Sequence, residues 1–376
     1  MNTPTHTPLL TEISQKLEWM RDALRETQAT GLRLRGIDWF AWATAGGSNM
    51  VLLAAETGVA EVLVTLDGAW ILTDEIEAQR LQDEELSIDS PYQWAIHPWA
   101  KMDDRESFVQ QATQGKTVIS DRPAPSENQA ETSLPQRLLD RRQSLLPSEI
   151  DRYRQVGRLA SEAMTEVLSQ ARPDWTEVQL AGAGAAALWT RGLQPTLTLA
   201  AGQDRLPKYR HTLPKQVEIG RCAMLVFCAR GFGLYANLTR FVYFDRLTES
   251  EATLHRQVRE IEAAALDQCR IQTPLNQIYH TLEHAYEHQG YPAAIREHHQ
   301  GGTTGYLSRE AIVTSTMHDR LQANMAMAWN PSLSGAKIED TFLLHEDDRL
   351  ENLTLDPTWK NIEVNGRQRP LPLERI

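Results

Sequence analysis

The segment Glu297–Tyr306 combines reactive side chains with unusual backbone freedom. Its sequence, EHHQGGTTGY, places His298 and His299 before Gln300 and a glycine-rich run. Histidine titrates near neutral pH and can transfer protons, and glycine lets a backbone approach a ligand closely. Successive residues of a strand point to opposite faces, so we expect only one of the two histidines to enter a site. The alternative is a solvated loop with a tight turn.

Two further residues could carry chemistry. His211 ends the basic stretch Pro207–His211 and could act as a general acid or base, although a surface histidine in such a loop is the alternative. Cys228 could be a nucleophile if His211 deprotonated it. A free cysteine on a central strand is more often a small, inert apolar residue, and we prefer that interpretation.

The composition indicates a globular protein with more than one domain. The chain has 376 residues, of which 41% are hydrophobic and 23% charged, and its net charge is −12. This length is enough for two domains with their own cores. The negative charge argues against nucleic acid or an anionic membrane as partner, since both are polyanions. The net charge says nothing about small substrates, whose binding depends on local charge.

The cysteines and the N-terminus bear on location. The three cysteines are too few and too irregular for a disulfide framework, and none forms the C-x2-C spacing of a zinc site. The N-terminal residues lack the basic and then apolar run of a signal peptide. We expect a cytoplasmic protein.

The first domain is predicted over residues 1–146. An apolar stripe indicates a helix over residues 10–26, and Asp67-Gly68 indicates a hairpin turn. Strands are predicted at 32–43, 51–55, 61–65 and 69–73, and helices near 75–85 and 105–115. The Pro-rich residues 121–147 are interpreted in part as the interdomain connection.

The second domain is predicted over residues 147–376. Helix starts are indicated by Ser148, by Asp174 with Glu177, by a Thr248/Glu251 capping box, and by Thr273-Pro274 with proline at the first helical position. Strands are predicted at 195–201, 222–229, 239–244, 311–315, 324–329 and 339–345. Paired helices followed by antiparallel strands predict an α+β domain whose two halves resemble each other.

Several short motifs, in order, resemble the creatinase/aminopeptidase P family over nearly the whole chain. They include WFAW (39–42), LVTLDG (63–68), PSEI (147–150), YANLTR (235–240) and GAKIEDT (335–341). The resemblance implies a creatinase-like α/β N-terminal domain, a "pita-bread" catalytic-type C-terminal domain, and a homodimer.

Metal-dependent members of that family hold two metal ions with two aspartates, a histidine and two glutamates. The resemblance places these five ligands at Cys228, Asn237, Gly302, Asn330 and Glu339. Only Glu339 keeps a ligating side chain of the family type. Replacing carboxylates by neutral groups removes the charge that offsets metal desolvation, so we expect no metal ion and no cofactor.

The resemblance also suggests what chemistry remains. Creatinase uses this fold without metal to hydrolyse a C–N bond, with a histidine in proton transfer. His211 corresponds to the family's substrate-facing histidine, and His298, four residues before Gly302, to another. Glu339 would orient His211 or bind a cationic group, unless it forms a structural ion pair with Lys337 or an arginine.

By this resemblance we expect a metal-independent, creatinase-like hydrolase of a small-molecule substrate with a C–N bond, with His211 and Glu339 as catalytic residues. The residues expected to bind substrate are His298, Asn330, Cys228, Asn237, Arg309 and Gln300. Two alternatives stay open. One is a metallopeptidase with altered ligands such as Cys228 and His298, and the other is an inactive scaffold that binds a peptide or protein.

Overall fold

A computed structural model describes residues 6–124 and 130–376. The chain divides between Glu149 and Ile150 into two compact units. Part of the predicted interdomain connection, residues 125–129, lies outside the described residues. Among the residues described, no helix is both long and apolar enough to cross a membrane.

The first unit is built on one mixed six-stranded sheet with the strand order β4-β3-β2-β1-β5-β6. Its strands are β1 (Gly31–Gly36), β2 (Thr57–Val64), β3 (Ala69–Asp74), β4 (Gln93–His97), β5 (Val118–Ser120) and β6 (Glu131–Ser133). Its helices are α1 (His6–Thr27), α2 (Ile37–Ala43), α3 (Ala78–Arg80) with a π-helical turn (Leu81–Glu85), α4 (Met102–Ala112) and α5 (Gln136–Gln143). The antiparallel β2–β3 hairpin forms at the predicted Asp67-Gly68 turn.

The second unit contains two larger sheets, each covered by a pair of helices. The first half has α6 (Pro147–Gln170), α7 (Glu177–Trp189) and the strands β7 (Gln194–Gly202), β8 (Cys222–Gly231) and β9 (Leu234–Tyr243). The second half has α8 (Glu249–Gln268), α9 (Leu275–His288), a 3-10 turn (Ala294–Arg296) and the strands β10 (Gly301–Thr304), β11 (Ala311–Ile312), β12 (Ala326–Trp329), β13 (Ser332–Leu333), β14 (Ala336–Lys337), β15 (Asp340–Leu344) and β16 (Leu350–Asn352). The chain ends in β17 (Asn361–Val364), β18 (Arg367–Pro370) and β19 (Leu373–Glu374). Both halves thus repeat two helices followed by antiparallel strands, as the sequence predicts.

Each half has its own apolar core. In the first, α6 and α7 pack with Leu225, Phe227 and Leu238 of the sheet. In the second, α8 and α9 pack with Met327, Trp329 and Phe342. The two sheets meet where the Thr239 amide donates to the Glu339 carbonyl oxygen, at 3.0 Å. This junction of β9 with the start of β15 is where the polar side chains of the unit collect.

Several local predictions are wrong in instructive ways. The segment 32–43 is a strand only to Gly36, and its aromatic end forms the buried helix α2. Residues 51–55 form turns, not a strand. The cap of α7 is Thr176, whose box with Gln179 replaces the predicted pair of acidic residues. Pro274 is the N-cap of α9, one position before the helix, whereas the Thr248/Glu251 capping box of α8 is present.

Candidate functional site

The site is assembled at the junction of the two sheets in the second unit. Cys228 on β8 pairs directly with Asn237 on β9. Two residues further along β9, Thr239 forms a bridge with Glu339, immediately before β15. The strand register therefore brings three of the predicted site residues together without any contribution from flexible loops.

Glu339 is the electrostatic centre of this cluster and is 2% exposed. One carboxylate oxygen accepts from Arg309 Nη2 at 2.5 Å, and the other lies 3.2 Å from Lys337 Nζ and accepts from Thr239 Oγ1 at 3.1 Å. Burial alone would raise the pKa of Glu339, but Lys337 and Arg309 hold that pKa at about 2. The carboxylate is therefore ionised, and two cations already neutralise it.

The dinuclear metal centre implied by the resemblance does not fit this arrangement. Of its five ligand positions, only Glu339 carries a carboxylate, and both of its oxygens have cationic partners. A metal ion would have to displace Arg309 and Lys337 and would gain no other anionic ligand from these positions. The positive charge that metal ions would supply here is supplied by side chains.

The glycine at the histidine position is required by the sheet. Gly302 on β10 has φ +153°, and a Cβ there would lie 2.0 Å from the Ala311 carbonyl oxygen on the neighbouring strand. Gly301, at φ +95°, would meet the Ala328 carbonyl oxygen at 2.1 Å. The glycine run thus serves close packing between strands, which corrects the expectation that it makes room for a ligand.

Two asparagines present buried acceptors at the site. Asn237 donates through Nδ2 to Thr304 Oγ1 at 3.0 Å, while its Oδ1 has no hydrogen-bond partner among the described residues. Asn330 is 2% exposed, and in the same part of the chain its Oδ1 is also without a partner. An unsatisfied buried carbonyl is costly, so both atoms are suited to receive an N–H donor from a ligand.

Cys228 is poorly suited to nucleophilic chemistry. Burial, aided by the negative charge of Glu339, raises the pKa of its thiol to about 11. The thiolate is the reactive form, so at neutral pH this side chain is almost entirely the unreactive thiol.

Three imidazoles form the second part of the site. The His211 and His298 rings lie 4.6 Å apart, His298 and His299 stack at 4.5 Å, and His211 lies 5.8 Å from His299. The strand geometry behind the expectation that only one of the adjacent histidines enters the site does not apply, because both lie in a loop before β10. His211 is the exposed member.

The hydrogen bonds of the histidine cluster define its tautomers. His298 Nδ1 contacts the His299 carbonyl oxygen, which can only accept, so Nδ1 carries the proton. His298 Nε2 is then an acceptor for His211 Nε2, 3.0 Å away. This assignment leaves His211 Nδ1 unprotonated. Although His211 is the most exposed of the three, its partial desolvation, followed by the charge of Lys337, lowers its pKa. Stronger burial brings the pKa of His298 to about 3 and that of His299 to about 4. The cluster is therefore neutral at pH 7.

These histidines are also the described residues that could hold a metal ion. One ring nitrogen from each lies within 4.8 Å of the others. Neutral imidazoles suit zinc, copper or nickel better than manganese or magnesium. The cluster does not include Cys228.

Gln300 lies behind the histidine loop. Its amide accepts from Tyr286 Oη at 2.9 Å and donates to the Ile295 and His298 carbonyl oxygens, at 3.2 and 2.6 Å. With these partners Gln300 positions the loop, and both of its amide hydrogens are used. Its contact with substrate stays a prediction.

A pocket of about 230 Å³ opens beside the charged cluster. Its walls include Tyr209 and Arg210, the two residues before His211, together with Phe241, Ser332 and Lys337. This volume includes open solvent at the mouth, and the lining does not include the three clustered histidines.

The alternative considered for Glu339, an ion pair with Lys337 or an arginine, is present in the structure. His299 is named with His298 in the sequence analysis as one of two adjacent candidates. Sequence reasoning did not identify Thr239 and Thr304, whose place in the site depends on which strands meet.

Residues 151–346 match the family model of metallopeptidase family M24. Among solved structures, the Xaa-Pro dipeptidase from Bacillus anthracis has a TM-score of 0.78 at 16% identity, over 96% of this chain and 99% of that one. The prolidase from Pyrococcus horikoshii OT3 has a TM-score of 0.76 at 17% identity, over 91% and 98%. The X-Pro aminopeptidase from Thermotoga maritima MSB8 has a TM-score of 0.75 at 17% identity, also over 91% and 98%. No curated protein matches the chain.

Proposed function

This chain belongs to metallopeptidase family M24 and has its pita-bread fold, and from that premise we propose that it hydrolyses a C–N bond of a small substrate without the family's pair of metal ions. The observation that carries the proposal is the pair of ion pairs at Glu339, in which one carboxylate oxygen contacts Arg309 and the other contacts Lys337. The only carboxylate left at the five ligand positions is thereby engaged by protein cations.

His211 is the proton-transfer residue in this proposal. Its Nε2–H donates to His298 Nε2, so Nδ1 accepts a proton from the attacking water and returns it to the departing nitrogen. His298 and His299 hold the tautomer, in the way that a second group orients the base of a catalytic pair. The depressed pKa of His211 keeps the base in its neutral, working form at pH 7.

Binding is assigned to the neighbouring groups. The free acceptors Asn237 Oδ1 and Asn330 Oδ1 suit the N–H groups of an amide, urea or guanidine. Arg309 and Lys337 carry one more positive charge than Glu339 neutralises, so they would also attract a substrate carboxylate. Glu339 thus positions these cations in addition to any contact that it makes with the substrate.

One observation favours a second candidate function. The three imidazoles could bind a single metal ion, which would make the protein a metallohydrolase with altered ligands. In that case His211 would be a ligand and not a base, so the two candidates exclude each other at that residue.

The test begins with metal content and turnover. Protein purified with and without manganese, cobalt and zinc is assayed by mass spectrometry for metal, and with urea, amidine, guanidino and Xaa-Pro substrates before and after chelation. We expect chelator-resistant turnover of a small C–N substrate and a loss of about 10²–10⁴-fold on His211→Ala. His284→Ala is the matched control, since His284 is 76% exposed.

Three results would contradict the proposal. Cleavage of Xaa-Pro peptides that chelation abolishes would restore the metallopeptidase interpretation. Turnover that needs one bound zinc would favour the three-histidine metal site. An inactive wild-type protein that still binds a peptide would indicate a scaffold.

A further inference from the structure

A second pocket shares Lys337 and Phe241 with the first and is not lined by the three clustered histidines. Its empty volume, including its open mouth, is about 270 Å³. Three cationic side chains line it, Arg240, Arg259 and Lys337, and no carboxylate does. The remaining wall is mostly apolar.

The cations differ in how they are satisfied. Arg240 Nη2 donates to Asp340 at 2.7 Å and to the Thr354 carbonyl oxygen at 3.0 Å. Lys337 is paired with Glu339. Arg259 is 8% exposed, and within the described residues it has neither a hydrogen bond nor an ion pair.

Arg259 has no counter-ion in the described chain because the buried carboxylates near it are paired with other side chains. Glu262, the buried acidic residue on the same helix, is held by Arg369 through two contacts of 2.5 and 2.7 Å. The second oxygen of Asp340 is also taken by Arg369, at 2.7 Å. Burial, followed by the charge of Arg369, lowers the pKa of Arg259.

A guanidinium that is largely buried without a counter-ion is destabilised by its lost solvation. Proteins keep such a group mainly where something else satisfies it. The Nε atom of Arg259 is buried without a partner among the described residues. His255 Nε2 lies 3.0 Å from Tyr243 Oη, and its ring is packed edge-on to Phe241. Arg259 lines the pocket, which gives a ligand access to its guanidinium.

We propose that this pocket binds a small organic carboxylate, whose two oxygens are received by the guanidinium of Arg259. A planar fork of N–H donors matches a carboxylate in a bidentate contact. The walls formed by Phe241, Ile338 and Leu371 provide an apolar surface for the ligand's hydrocarbon part. One unpaired charge calls for one monoanion, which favours a carboxylate with an apolar body over a phosphate dianion.

Butyrate, its uncharged isostere butyramide, and inorganic phosphate are the probes, measured by calorimetry and by thermal unfolding. The variants are Arg259→Met and, as matched control, Arg256→Met on the same helix, where the side chain is 56% exposed and pairs with Glu260. We expect saturable 1:1 binding of butyrate, reduced at least ~10-fold by Arg259→Met, a loss of one charge-assisted contact. Arg256→Met should change it less than ~2-fold, within the small value of a surface charge.

The thermal stability of the ligand-free protein tests the unpaired charge of Arg259 independently of binding. Arg259→Met removes a buried charge that has no partner, so the ligand-free variant should unfold at the same temperature as wild type or higher. Arg259→Lys keeps the charge but loses the fork and should bind butyrate with intermediate affinity. If Arg259→Met does not fold, this lysine variant carries the comparison.

Several outcomes would overturn the inference: no butyrate binding by wild type up to about 50 mM, well above the Kd of a single good contact; equal binding of butyramide; tighter binding of phosphate; or unchanged butyrate binding in the Arg259 variants. None of these measurements involves turnover. A failure here is therefore distinct from a failure of the proposed hydrolysis.

Discussion

Replacing Glu339 by glutamine tests the central electrostatic feature of the site. The Arg309 and Lys337 side chains beside it are only 12% and 6% exposed. Glutamine keeps the shape of the side chain and removes its charge, so two nearly buried cations would face each other without a carboxylate. Removing one partner of a buried ion pair lowers the free energy of unfolding by roughly 3–5 kcal/mol.

We expect a loss of about 3 kcal/mol, at the lower end of that range, because Arg309 can turn part of its guanidinium toward solvent. Urea unfolding followed by circular dichroism measures it as a shift in midpoint at constant slope. The matched control is Glu162→Gln, which removes a surface i,i+4 pair with Arg158 whose side chain is 59% exposed and should cost less than ~0.5 kcal/mol.

A double variant sharpens the test. Lys337→Met added to Glu339→Gln removes one of the orphaned cations and should recover at least ~1 kcal/mol. If Glu339→Gln costs no more than Glu162→Gln, or if the second change makes the protein still less stable, Glu339 does not act as the shared counter-ion. The electrostatic argument for the absence of the dinuclear centre would then fail.

Three further results are expected. Gly302→Ala should lower the free energy of unfolding by more than ~3 kcal/mol, because a Cβ there has no space and the backbone φ is strained for alanine. The control Gly182→Ala lies in open space on a helix and should raise that free energy by up to ~1 kcal/mol. Equal effects of the two variants in urea unfolding would contradict the packing argument. The pKa of Glu251 is lowered to about 2 chiefly by its hydrogen bonds from Arg221. The difference in unfolding free energy between wild type and Glu251→Gln should therefore be fully present above pH ~4.5 and fade as pH falls toward 2. A difference that stays constant over that range would refute this expectation. The pKa of the Cys228 thiol is about 11, so under native conditions at pH 7.5 it should react with iodoacetamide far more slowly than free cysteine does. In urea the two rates should be the same, as followed by mass spectrometry. Rapid labelling of the native protein would reopen the nucleophile hypothesis.

The sequence predicts the fold well where local signals and tertiary structure agree. The Thr248/Glu251 box, the Asp67-Gly68 hairpin and the repeated order of helices and strands all appear in the structure. It fails where burial overrides local preference. The aromatic residues 39–42 have high strand propensity, yet they form a short buried helix because the preceding strand ends at Gly36.

The site could be predicted only in part, for a similar reason. Residue types and motif order identify Glu339 and His211, because both belong to recognisable local patterns. They do not tell which cation will pair with which carboxylate. Arg240 and Arg369 share Asp340, while Arg259 has no partner in the part of the chain that the structure describes. This partition depends on distances set by three separate elements.

The position of Lys337 has a thermodynamic consequence. Its ammonium is 3.2 Å from Glu339, and its side chain lines both the pocket of Tyr209 and Arg210 and the pocket of Arg259. A ligand that drew this ammonium toward one pocket would leave Glu339 with Arg309 and Thr239 alone. By linkage, the factor by which such a ligand altered affinity in the other pocket would equal the factor by which an occupant of that pocket altered the affinity for this ligand. A lysine shared by both walls would in this way couple the two cavities, and affinities measured in one would then depend on what fills the other.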